Sequence, residues 1–503
     1  MPSRKKGCGR EKKKTASAES LERILKKKIV SPSVLRSYTL GKTKRTEKDS
    51  LGNVSVPVDA YYGAQTARAV ANFPISGLKS PPQMVRAMVL IKKAAAKVNL
   101  ELGRLEKRKS YAIINACDKV LAGGFQDQFV VDVFQMGAGT AFHMNCNEVL
   151  ANLAEENLGG KRGQYRAIHP NDDVNMGQST NDVFPTAMKI STLFLIEALT
   201  DALKDLEKTF SAKAKQFDRI LKSGRTHLQD AAPIRLGQEF RAYAQTFSGC
   251  RQFLQHATRA LYELGIGGSA VGTGINTPPA YAANMIYNLS RLTGLEFRRS
   301  KDLREAMQSM RPMAEVSAAL RNFALEMNRI ANDLRLLSSG PKTGLAEIKL
   351  PDVAPGSSIM PGKVNPSMLE MMNMVCYQVI GCDLAVSGAV QAGQLELNVM
   401  MPVIAFNLCF MVEILTNGLK QLNARCIQGI EPNAERCLDY AKNSMGLATA
   451  LSPHIGYSKA AEAAKHSLEM GKSLIETVVA MGLLDEEEIK KILDPKKMTE
   501  PNL

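Results

Sequence analysis

Two stretches of this chain carry apolar residues at alternating steps of three and four, a period that fits long helices and little else. Phe240, Tyr243, Phe247, Cys250, Leu254, Ala257, Leu261 and Leu264 form one run; Val316, Leu320, Phe323, Met327, Ile330, Leu334 and Leu337 form the other. Such heptad-like seams predict helices of about 25 residues, about 40 Å long at a rise of 1.5 Å per residue. A third long helix is expected over 191–217, with Leu195, Leu199, Ala202 and Leu206 on one face. One seam is ordinarily core, whereas several in one chain more often build a bundle that continues across subunits. Composition agrees, since Trp is absent and aromatics make up only 6%, a balance that favours helices over β-sandwiches. The expected fold is mainly α around a long central helix bundle.

At 503 residues the chain can hold several domains. The net charge of +16 is unevenly spread: residues 1–45 carry 15 Lys/Arg against 3 Glu, and the rest is nearly balanced at +4. Residues 1–45 therefore read as a basic, solvated, disordered extension. Nucleic acid or an acidic surface is a possible partner for it, and a targeting peptide is another option. The remainder divides into a mixed helical segment over 46–176, the central long-helix domain over 177–431 and a small helical domain over 432–503. The nine cysteines include no CxxC pair and the six histidines no metal-spaced cluster, so neither a disulfide framework nor a metal ligand set is indicated, and a reducing cytoplasm is expected. Cys426 and Cys437 are candidate reactive thiols. No apolar run is expected to span a membrane, because Asn398, Pro402 and Asn407 interrupt the best candidate.

The run Gly356-Ser357-Ser358-Ile359-Met360-Pro361-Gly362-Lys363-Val364-Asn365-Pro366 holds two glycines and two prolines. It excludes a regular helix or strand and reads as a mobile loop. Its hydroxyls, ammonium and amide, with no acid between Asp352 and Glu370, suit a small anion. Three other polar runs share that bias. Gln178-Ser179-Thr180-Asn181-Asp182 can cap a helix or offer donors to an anion. Gly224-Arg225-Thr226-His227-Leu228-Gln229-Asp230 contains a Thr-His pair that is either structural or able to transfer a proton. Gly137-Ala138-Gly139-Thr140 is a turn whose glycines could admit a ligand close to the backbone. The Gly-rich run over 267–274 lacks the spacing of a dinucleotide or phosphate loop.

Those four runs, in this order, resemble the aspartase/fumarase superfamily, and the resemblance extends from about residue 47 to the end. It implies a three-domain lyase subunit, a homotetramer with a twenty-helix core, and active sites each shared by three subunits. It also implies reversible elimination from a small dicarboxylate of the succinyl type. By motif position Ser357 resembles the base that removes the proton next to a carboxylate, and His227 and Glu370 resemble its catalytic companions. Lys363 and Asn365 would hold one carboxylate and Thr140, Ser179, Thr180 and Ser358 the other, with Asn181 and Thr226 beside the leaving group. No cofactor or membrane is implied, although some members are activated by a divalent metal.

Within the superfamily, Asp59-Ala60-Tyr61-Tyr62-Gly63, the Ser179-Thr180 pair, the run over 335–340 and Gly393-Gln394-Leu395-Glu396-Leu397-Asn398-Val399-Met400 resemble the branch that releases ammonia from L-aspartate. The runs over 169–173 and 184–188, and Met401, lean toward the branch that hydrates fumarate to malate. A non-catalytic scaffold with a nucleic-acid-binding tail is the reading from another class.

Overall fold

The computed structural model describes residues 43–493 and 495–501. Residues 1–42 of the basic extension, and whatever they bind, lie outside the described residues. Lys44 and Arg45, counted above with that extension, belong instead to the first strand. The Arg45 guanidinium pairs with Glu47 and donates to the carbonyls of Pro57, Ala60 and Tyr62, which draws it into folded structure.

In chain order, a hairpin of β1 (Lys44–Asp49) and β2 (Gly52–Pro57) is followed by α1 (Ala64–Asn72), α2 (Pro82–Glu101), α3 (Lys107–Leu121), α4 (Thr140–Asn157) and the long α5 (Thr180–Gln216). A second hairpin, β3 (Leu221–Thr226) with β4 (Gln229–Arg235), leads into α6 (Leu236–Ala257). Next come β5 (Glu263–Leu264), α7 (Tyr281–Thr293), β6 (Arg298–Arg299), α8 (Arg311–Leu337), β7 (Ile348–Lys349), α9 (Ser367–Gln391) and α10 (Met401–Arg425). β8 (Glu431–Pro432) and the short helices α11 (Ala434–Asn443), α12 (Ala448–Ile455), α13 (Tyr457–Met470), α14 (Leu474–Ala480) and α15 (Glu486–Ile492) complete the order. Helix makes up 62% of the structure, so the fold is mainly α.

Contacts divide the chain into two interleaved units. Among the described residues, the first comprises 43–191, 262–310 and 392–406, the second 192–261, 311–391, 407–493 and 495–501. In the first, α2 packs on α3 and α7, and α3 on α4. In the second, α8 packs along α9 and against α6. Every residue of the α8 seam, from Val316 to Leu337, is buried. The α6 seam is buried from Phe240 to Phe247, but the helix ends at Ala257. Leu261 and Leu264 continue the spacing beyond it, in a 3-10 turn and in β5. An aromatic cluster ties these helices together. Phe210 of α5 meets Phe247 of α6 at 5.2 Å between ring centroids, and Phe247 meets Phe323 of α8 at 6.0 Å.

Prolines account for two departures from expectation. α5 begins at Thr180, eleven residues before the predicted start, and passes through Pro185. Burial of Val183, Phe184, Ala187, Met188 and Ile190 offsets the hydrogen bond that Pro185 cannot donate. Pro402 likewise does not break α10; it occupies the first turn, where a missing N–H has no helical partner to lose. The expectation about membranes is corrected accordingly. By length and composition, α5, α9 and the helical stretch Met401–Gly429 each hold an 18-residue window apolar enough to cross one. Those windows are 72%, 39% and 67% buried inside the protein, so α5 and α10 spend most of their apolar surface on the core. α9 leaves Met374, Tyr377 and Leu384 exposed.

Cutting Phe247 to Ala removes the ring shared by α6 and its two partners. A loss of about 3–5 kcal/mol is expected, read as a lowered midpoint in urea unfolding followed by far-UV circular dichroism.

Candidate active site

In the first unit, the predicted residues gather around two helix starts. Ser179 precedes α5. Its Oγ accepts from the Asn181 N–H at 3.3 Å, and the Asp182 carboxylate accepts the Ser179 N–H at 3.0 Å. Both bonds help to close the helix N-terminus. The other Asp182 oxygen accepts the N–H groups of Gly267 and Ser269 at 2.9 and 3.1 Å, and Asn181 Nδ2 donates to the Ala270 carbonyl at 2.8 Å. The Gly-rich run therefore wraps a buried carboxylate of its own chain. Burial pushes the Asp182 carboxyl up to about 6, against the pull of those three N–H groups and Lys92.

Thr140 opens α4, its hydroxyl donating to the Gly137 carbonyl at 3.3 Å. The glycines before it admit protein. A Cβ on Gly139 would sit 2.1 Å from the Phe184 ring, and one on Gly137 would sit 3.2 Å from Val399 Cβ. The close approach expected there is thus to Phe184 and to the 393–400 run, whose Val399 carbonyl accepts the Ala138 N–H at 2.8 Å. Met401 is fully buried.

Beneath Thr180 lies a polar network that the sequence did not announce. Thr180 Oγ1 is 2.7 Å from His143 Nδ1, and His143 Nε2 is 2.6 Å from Lys92 Nζ. Lys92 also donates to Asn175 Oδ1 at 3.0 Å and to Gln178 Oε1 at 2.9 Å. Burial pushes the Lys92 ammonium down to about 7, and burial together with the neighbouring Lys92 charge holds the His143 ring well below the usual range for imidazole. His143 and Lys92 sit singly in helical sequence, without a motif to mark them; only Asp182, three residues after a capping serine, had a legible signature.

The second unit holds the remaining candidates. Thr226 ends β3, and His227 and Leu228 form the two-residue turn into β4. Both turn residues have left-handed backbone, φ 56° and 59°, a conformation that such turns usually reserve for Asn and Gly. Leu228 is 72% exposed, so its strain is not offset by burial, and strain of this kind concentrates at functional sites. The hairpin is anchored by buried Glu347, which pairs with Arg225 at 2.9 Å and with Lys222 at 3.2 Å.

The loop after β7 is drawn together at its neck. Gly356 N–H donates to the Lys363 carbonyl at 2.7 Å, and Asn365 Nδ2 donates to the Gly356 carbonyl at 2.8 Å. A side chain at 356 would put Cβ 2.6 Å from that Lys363 oxygen. Within the loop, Ser357 Oγ accepts the N–H groups of Ile359 and Met360 at 3.2 and 3.0 Å. Ser357, Met360, Lys363 and Val364 help to line an open cavity of about 560 Å³. Ser358 follows, exposed. Glu370 lies in the first turn of α9. Among the described residues, neither its carboxylate nor the His227 ring has a hydrogen-bond partner, so the pairing implied for them is not made within the chain.

The expectation of reactive thiols is corrected by burial. Cys426 and Cys437 are buried, and burial pushes both thiols up to about 12. Such thiols are poor nucleophiles, and neither is reactive. Among the described residues, no group of three His, Cys, Asp or Glu side chains is placed to hold a metal ion.

In each unit, hydroxyls and amides stand at helix starts or loop ends, and such neutral donors suit a small anion. A lyase family model matches residues 52–381, and a fumarase C C-terminus model matches 447–500. An aspartate ammonia-lyase from Bacillus subtilis (strain 168) is 46% identical over 92% of this chain and 97% of its own. A class II fumarate hydratase from Myxococcus xanthus (strain DK1622) is also 46% identical, over 91% and 98%. Among solved structures, a fumarate lyase:delta crystallin from Brucella melitensis bound to cobalt is similar at a TM-score of 0.88 and 48% identity, covering 91% of this chain and all of that one. A class II fumarase from Schistosoma mansoni reaches a TM-score of 0.89 at 36% identity, covering 92% and 100%. The chain belongs to the aspartase/fumarase superfamily, and it is an enzyme of the lyase class.

Asp182 carries three backbone N–H bonds with two oxygens. Asp182→Asn turns an NH2 group toward one of those donors, and a loss of about 3 kcal/mol is expected, measured by urea unfolding against the parent protein.

Proposed function

We propose that the protein is a carbon–nitrogen lyase, an aspartate ammonia-lyase that reversibly converts L-aspartate to fumarate and ammonia. The observation that carries this reading is the Ser357 hydroxyl oxygen, which accepts two backbone N–H groups in a loop that also bears Lys363. A serine is a poor base because its alkoxide is costly. Two N–H donors and a nearby ammonium lower that cost.

Ser357 takes the C3 proton, and the charge flows into the adjacent carboxylate as an enediolate. Thr140, Ser179, Thr180 and Ser358 hold that carboxylate, helped by the positive end of α5. Donors already in place lower the barrier to the extent that they bind the dianion better than the substrate. Lys363 and Asn365 hold the other carboxylate. Asn181, Thr226 and His227 surround the departing amine, with Glu370 orienting the histidine. Closure of the 356–366 loop excludes water. No step of this account runs through a metal; the cobalt belongs to the Brucella protein, and metal activation remains separate from this scheme. A homotetramer with active sites shared by three subunits belongs to this reading, and the exposed apolar residues of α9 support it. A reducing, cytoplasmic setting suits the eight free thiols among the described residues. The basic extension has no role in this scheme.

Aspartate is preferred to malate because the Ser179-Thr180 pair and the 393–400 run resemble the ammonia-releasing branch. Class II fumarate hydratase is the second reading, favoured by Met401 and by relatives of equal identity that bear that name. Fumarate absorbance, followed separately with L-aspartate and L-malate, is expected to rise with aspartate; turnover of malate alone overturns the assignment. Ser357→Ala should lower kcat by at least about a hundredfold with an unchanged circular dichroism spectrum. Near-parental turnover would remove Ser357 as the base.

A further inference from the structure

Lys92, His143 and Thr180 are linked in series, and the donors and acceptors along the series can be counted. The Lys92 ammonium has three hydrogens and three acceptors: Asn175 Oδ1, Gln178 Oε1 and His143 Nε2. The two amides cannot be turned around, because Asn175 Nδ2 donates to the Gln178 carbonyl and Gln178 Nε2 to the Val174 carbonyl, at 3.3 and 3.0 Å. With both amide oxygens facing Lys92, the ammonium's third hydrogen goes to His143, and Nε2 must offer a lone pair. A neutral ring then carries its proton on Nδ1 and donates it to Thr180 Oγ1, 2.7 Å away. Having accepted there, the Thr180 hydroxyl keeps its own hydrogen free. Thr180 Oγ1 has no other partner among the described residues.

We infer that His143, held in one tautomer by Lys92, is a positioning residue that turns the Thr180 hydroxyl into an outward hydrogen-bond donor for a carboxylate in front of α5. The inference rests on the reading of Thr180 as a substrate ligand. It adds a mechanism for specificity. A hydroxyl free to rotate can accept as well as donate, whereas one already accepting from an imidazole N–H is biased toward anions. The other titratable groups facing Lys92 are the Cys117 thiol from α3, the Cys146 thiol from α4 and the Asp182 carboxylate from α5. Burial raises both thiols, so they stay uncharged.

Two measurements test it. Long-range ¹H–¹⁵N spectra of ¹⁵N-histidine-labelled protein at pH 6, assigned with His143→Gln, should show a neutral ring protonated at Nδ1. A ring protonated at Nε2, or a doubly protonated one, overturns the inference whatever the enzyme's substrate. Steady-state kinetics with L-aspartate at pH 6.5 supply the second measurement. His143→Leu should lower kcat/KM about tenfold, the loss of one hydrogen bond to a charged group, and part of that loss should fall on kcat, because the carboxylate that Thr180 holds gains charge during the reaction. His143→Gln, whose amide can accept from Lys92 and donate to Thr180, should recover most of that kcat/KM. In a Thr180→Val background His143→Leu should add nothing. An unmoved kcat/KM in folded His143→Leu, or additive effects in the double variant, overturns the inference. If His143→Leu does not fold, the spectra of the parent protein decide. A parent enzyme that turns over neither L-aspartate nor L-malate would end the functional reading, and the spectra would still judge the tautomer of His143.

Discussion

The first unit depends on a carboxylate that points inward. Asp182 closes the start of α5 through the Ser179 N–H and, with its second oxygen, gathers the Gly267 and Ser269 N–H groups. A buried carboxylate is expensive unless its lone pairs are used, and here backbone donors use them. The same three bonds fix where Ser179, Thr180 and Asn181 stand, so cap and candidate ligand set are one construction.

The second unit supports its polar segments differently. The aromatic contacts among Phe210, Phe247 and Phe323 give a rigid helical base. The hairpin bearing Thr226 and His227 is tied to buried Glu347, one residue before β7, and the loop bearing Ser357 and Lys363 follows that strand. One buried acid thus steadies the hairpin at the point where the chain sets out toward the loop. Reactive groups on exposed turns gain precision from such anchors, because a loop alone orders its side chains poorly.

Much of this was legible in the sequence. The α8 seam is buried at every predicted position, because packing on α9 and α6 demands the period that the residues display. The polar runs stood out because dense hydroxyls and amides are unusual between apolar segments. What was not legible has physical causes. Leu261 and Leu264 keep the α-helical spacing by chance of burial beyond the end of α6. Pro402 was read as a break, yet its first-turn placement accommodates it, and the helix expected from 191 extends back through Pro185 because tertiary burial supports that turn. The interleaving of the two units cannot be read from local pattern, since it depends on which distant segments pack together. Lys92 and His143 carry no local signature, and their meaning comes only from sharing a buried pocket with Asn175, Gln178 and Thr180.

The neck of the 356–366 loop has a consequence for how such a fold can diversify. Gly356 is clasped on both sides, by the Lys363 carbonyl and the Asn365 amide, while Ile359, at 83% exposure, and its neighbours at the tip bury little. Conformational freedom is thereby confined to a short insert between fixed posts. Residues at the tip can be exchanged without disturbing the helices below, so this loop is a place where evolution could retune turnover while the scaffold stays constant.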